Sequence, residues 1–108
     1  MKIPESAEIP KQKLSDYLLK ERKRDDKSKF LRQAGFTETD SDALEQAIRI
    51  HTANFDAVSD SENEYGEFFT VQGDLQGTNG NVLKIISVWL KRRVDQIFQF
   101  ITLKPWKK

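Results

Sequence analysis

A chain of 108 residues with 37% hydrophobic and 32% charged residues and a formal net charge of +1 suffices for one hydrophobic core and is too short for a second. It holds no cysteine and one histidine, which excludes disulfides, thiolate metal sites and a cysteine nucleophile and argues against zinc. No Asp-x-Asp-x-Asp-Gly calcium loop and no glycine-rich phosphate loop occurs, so neither a metal nor a cofactor is expected.

Residues 1–10 read as an extended lead-in, because Pro4 and Pro10 bias the residues before them away from helix. Leu14, Tyr17, Leu18 and Leu19 share a face over residues 13–20 and predict a short helix. A charge block over residues 20–29 then leads to a second short helix carrying Phe30, Leu31 and Ala34, with Gly35 suited to its left-handed C-terminal position. Residues 40–42 supply an N-cap for the clearest helix, in which Leu44, Ala47, Ile48, His51 and Phe55 recur at helical spacing.

Residues 56–64 read as an acidic linker, after which the period changes to that of strands. Residues 65–75 are rich in aromatic and β-branched residues, and Gly77-Thr78-Asn79-Gly80 carries hairpin chemistry. Residues 82–90 are apolar on both sides, as a central strand would be, and Lys91-Arg92-Arg93 predicts a charged turn. Residues 94–103 alternate, with Phe98, Phe100 and Thr102 on one face. The expected fold is one α+β domain over residues 1–108, with N-terminal helices packed on a C-terminal three- or four-stranded antiparallel sheet.

No apolar run approaches the roughly 20 residues of a membrane-spanning helix. The first five residues lead into polar ones rather than an apolar signal segment. A cytoplasmic protein without membrane contact is therefore expected. Basic residues concentrate at positions 20, 22, 23, 24, 27, 29 and 32 and again at Lys104, Lys107 and Lys108 around Trp106, whereas residues 38–67 are acidic apart from Arg49. Such a distribution suits a polyanion met through phosphate neutralisation and base stacking, or simply solvated loops.

Several stretches together resemble a family of uncharacterised bacterial domains: Ile3-Pro4, Lys13-Leu14-x-Asp16-Tyr17-Leu18-Leu19, Lys27-Ser28-Lys29-Phe30 ending at Gly35-Phe36, and Leu44-Glu45-x-Ala47-Ile48-Arg49-x-His51. Tyr65-Gly66, Val71-x-Gly73-x-Leu75, Val88-Trp89 and Ile101-Thr102-x-x-Pro105 continue the pattern. Members of that family stand alone or end larger phage-head and toxin-like proteins, and their layout is similar to ribonuclease toxins of the barnase, EndoU, colicin D and RelE type. The resemblance implies an uncharacterised domain that binds or cleaves RNA without a metal, or a non-catalytic protein-interaction module that keeps the fold. The partners it implies are RNA and a small neighbouring antitoxin or immunity-like protein, with a homodimer left open.

Metal-free RNA cleavage needs a base, a cation for the phosphate and an acid. His51 is the titrating candidate, although its place on the apolar stripe equally suits a satisfied core-edge histidine. Arg92 and Thr102 complete the candidate catalytic set, and Lys27, Lys29 and Lys104 are the candidate phosphate binders. Each has a plainer reading as a solvated turn or strand residue.

Overall fold

The computed structural model describes residues 1–20 and 27–106. A π-helical segment Lys13–Leu18 is followed by α1 (Ser28–Arg32), α2 (Ser41–Asn54), β1 (Ala57–Asn63), β2 (Gly66–Gln76), β3 (Val82–Arg92) and β4 (Phe98–Pro105). The strands form an antiparallel meander in the order β1-β2-β3-β4, with β3 between β2 and β4 as its apolar sequence requires. The helices precede the sheet and cover one face of it, which is the expected α+β arrangement.

Alternation along the strands decides what that face buries. Phe69, Val71 and Leu75 of β2, Leu83, Ile85, Ser87 and Trp89 of β3, and Phe98, Phe100 and Leu103 of β4 are all buried. On α2, Leu44, Ala47, Ile48, His51 and Thr52 recur at intervals of three and four, so one stripe meets the sheet. In the π-helical segment the Leu19 N–H donates to the Leu14 carbonyl at 2.9 Å. That wider turn aligns residues four and five apart, and Leu14, Leu18 and Leu19 are all buried.

Gly35 takes φ +90° and ends α1 as expected, with the Phe36 N–H reaching back to the Leu31 carbonyl at 3.2 Å. The β2–β3 turn docks on this helix end, where Thr78 N–H donates to Ala34 O at 2.8 Å and Asn81 Nδ2 to Gln33 O at 2.8 Å. At the start of α2, Asp40 is the N-cap residue but makes no side-chain cap. Its carboxylate instead accepts from the Thr37 N–H and hydroxyl, both at 2.8 Å, which holds its pKa below the usual value.

Three expectations are corrected. Residues 57–63 form strand β1, where an acidic linker was expected; only Ala57 is buried, so the strand carries no apolar alternation to reveal it. Backbone pairing from Ala57↔Val71 to Asn63↔Gly66 makes it, and its acidic, bulged outer edge discourages further strand addition. The charged turn lies later than expected, because β3 continues through Arg92 and the chain reverses over residues 93–97 with Gln96 at φ +63°. Finally, Val88 pairs with Thr102 but Trp89 with Phe100, which leaves Ile101 as the extra residue of a bulge. Leu103 consequently joins Phe98 and Phe100 on the buried face, and Thr102 turns to the other.

The lead-in closes the helical layer as a strap. Ala57 N–H donates to Met1 O at 2.6 Å beside β1, while Glu8 exchanges backbone bonds of 2.8 Å with Phe98 and Phe100 at the edge of β4. Ile3 and Ala7 between these anchors, and Ile9 just beyond the second, are buried. Gly73 serves the same layer, since a Cβ there would lie 2.4 Å from the Phe55 ring. Gly73→Ala is therefore expected to lower the unfolding free energy by about 1–3 kcal/mol through overpacking. An unchanged urea midpoint would mean that Phe55 is not seated there.

Candidate functional site

Among the described residues, no helix covers the second face of the sheet. Register assigns to it Phe68, Thr70, Gln72 and Asp74 of β2, Lys84, Ile86, Val88 and Leu90 of β3, and Gln99, Thr102 and Lys104 of β4. Phe68, Ile86, Val88 and Leu90 form a half-buried apolar strip along its centre.

The β4 margin of this face gathers two stretches far apart in sequence. Lys27 lies immediately before α1, whose first residue Ser28 is fully buried and fixes where the segment sits. The Lys27 Nζ donates to Thr102 Oγ1 at 2.9 Å, and the Thr102 hydroxyl donates to Leu103 O at 3.3 Å. Lys104 is exposed two residues further along β4 and shares the face of Thr102. Beyond it Trp106 is pinned by its backbone N–H donating to Lys84 O at 2.9 Å, with the Lys84 ammonium 5.7 Å from the ring centre and 3.2 Å from Asp74 Oδ1. Lys29 is exposed on α1. The basic positions 22–24, as well as Lys107 and Lys108, lie outside the described residues.

Arg92 occupies the far end of the same face, about 13 Å from Val88 and hence from Thr102 at the strand rise of ~3.3 Å per residue. Its guanidinium grips Asp95 through Nε at 3.0 Å and Nη2 at 2.6 Å, and it also donates to Glu8 at 2.9 Å and Gln99 at 3.3 Å. Arg92 thus ties the strap to the β3–β4 hairpin. The hydrogen bonds that it donates to Asp95 raise its pKa, and Arg92 in turn holds the Asp95 carboxyl below the usual value.

His51 lies under the sheet, 1% exposed. Its Nδ1 is 3.1 Å from Asp74 O and its Nε2 3.0 Å from Ser87 Oγ, which also receives the Trp89 Nε1–H at 2.9 Å. A carbonyl only accepts and an indole N–H only donates, so the network assigns the proton to Nδ1. The Ser87 hydroxyl then donates to Nε2, and the neutral ring leaves no partner wanting. Burial lowers the His51 pKa, against a smaller opposing pull from the Asp74 carbonyl.

Of the residues singled out in the sequence, Lys27, Thr102 and Lys104 come together, Arg92 shares their face at a distance, and His51 faces the opposite side. Ser87 carries no signal of its own in the sequence, because a lone serine in an apolar strand reads as a packing gap. Its polar neighbour is 36 residues away on α2. Among the described residues no three acidic or imidazole side chains converge on a position that could hold a metal ion, and no helix is long and apolar enough to cross a membrane.

A family profile described as a domain of unknown function (DUF6883) matches residues 2–107. No curated protein and no solved structure matches the chain.

Proposed function

Because the chain belongs to the DUF6883 family, a domain of unknown function, we propose its function from geometry: the β4 margin of the bare sheet face binds RNA through its phosphates, with no metal requirement. The observation that carries this reading is the 2.9 Å hydrogen bond from Lys27 to Thr102. It joins the Lys-Ser-Lys segment, which holds two of the candidate phosphate binders, to the Thr-x-x-Pro strand that carries Thr102, on a face that no described helix covers. Lys104 adds a second ammonium, and Lys84 with Trp106 offers a charge beside an aromatic surface.

His51 takes no part in this reading, since a base must reach the proton that it abstracts. Purified protein mixed with total RNA is expected to retain it at low salt, with or without EDTA. Lys27→Ala and Lys104→Ala should each weaken retention and reduce the slope of log affinity against log salt by about 1 per lost phosphate contact. Retention that ignores salt and both substitutions would remove the basis of the reading.

The apolar strip favours a second reading, a protein-interaction module. Tyr65 and Val94 are 67% and 89% exposed at adjacent hairpin ends, next to Leu90 and Arg93. That module would bind a protein partner and leave RNA unretained in every variant.

A further inference from the structure

The strap and α2 meet over the buried face, and a cleft of about 530 Å³ opens between them, within the ~300–1,000 Å³ range of small-molecule sites. Its walls are Ile3, Pro4 and Glu5 of the strap and Arg49 and Ala53 of α2, over Trp89. None of these residues belongs to the bare face discussed above.

Arg49 is held before any ligand arrives. Its Nε donates to Glu45 at 3.3 Å, and its two terminal nitrogens donate to Glu5 O at 3.3 Å and Ala7 O at 3.2 Å. These bonds use three of the five donors of a guanidinium and fix its plane, so presenting the rest to a carboxylate loses little side-chain freedom. Charge at the cleft is otherwise balanced in pairs. Arg49 has Glu45, and Lys2 has Asp56 at 3.1 Å. Among the described residues Glu5 is in no ion pair, and its carboxylate suits an ammonium. The remaining walls, Ile3, Pro4 and Ala53 with Trp89 beneath, suit an aliphatic body.

We infer that this cleft binds a small zwitterion, a free α-amino acid with an apolar side chain, its carboxylate on Arg49 and its ammonium on Glu5. A simple anion would meet the Glu5 charge, and a simple amine would meet the Arg49 charge.

The test is an NMR titration of the whole chain with L-leucine, with isocaproate, which lacks the ammonium, and with isoamylamine, which lacks the carboxylate. Leucine is expected to shift the Arg49 Nε and Ile3 methyl signals and to bind about tenfold or more tighter than either analogue. Ala53→Trp, at an exposed position on the cleft wall, should fill the cleft and remove leucine binding. Glu5→Gln should weaken leucine but leave isocaproate no weaker. Absence of leucine shifts, equal affinity for either analogue, or unchanged leucine binding in Ala53→Trp would each overturn the inference.

Discussion

Replacing Trp89 with alanine is expected to remove about 3–5 kcal/mol of stability, the range for a large aromatic cut from a packed core. Trp89 is 1% exposed on β3, between β2 and β4, and meets Phe100 edge-on, with ring centres 5.3 Å apart. Its N–H is also one arm of the Ser87 bridge to His51. A small domain has only about 5–15 kcal/mol in hand, so this one truncation should consume a large part of it. Urea titration followed by far-ultraviolet circular dichroism reads the loss, and a decrease below about 1 kcal/mol would mean that Trp89 is not packed as described.

The second large effect lies at His51. His51→Ala takes the acceptor from the Ser87 hydroxyl and the donor from Asp74 O, and an orphaned buried group costs about 1–3 kcal/mol. The same bonds give stability a pH dependence. The folded state keeps the ring neutral and its pKa lowered, whereas the unfolded chain protonates near 6.5. Below that pH the unfolded state binds more protons, so stability is full above about 6.5 and declines as pH falls through the unfolded value toward the lower folded one. The carboxylates Asp40, Asp56 and Asp95, whose pKa values are lowered from 3.8, add their loss in a separate and more acidic window. Denaturant midpoints measured between neutral and mildly acidic pH should fall for the native protein. In His51→Gln they should stay flat over the upper window, and an equal fall in both would assign the dependence elsewhere.

The helices and strands β2, β3 and β4 were legible because each carries its burial in its own period. Leu44, Ala47, Ile48 and His51 announce a stripe, and the apolar run of β3 announces its central place. Strand β1 was illegible for the opposite reason: hydrogen bonds to β2 hold its backbone while its side chains stay in water. The Ile101 bulge was hidden too, since an alternating sequence does not disclose where one residue is left unpaired. That bulge turns Thr102 from the buried face to the bare one. Among the candidate site residues, the meeting of Lys27 with Thr102 spans 75 positions and depends on where Ser28 is buried, which no local pattern encodes. His51 was open to two readings in sequence, and the contacts with Ser87 and Asp74 decide what its ring touches.

We propose that the Lys27, Thr102 and Lys104 margin carries phosphate contacts while His51 serves the core. This proposal is tested most directly by the affinity for a labelled single-stranded RNA across a salt series, in the native protein and in a Lys27→Ala, Lys104→Ala double variant of unchanged urea midpoint. The prediction is a linear fall of log affinity with log salt in the native protein and a slope shallower by about 2 in the double variant. Identical slopes in the two proteins, or no salt-dependent binding in the native one, would contradict it.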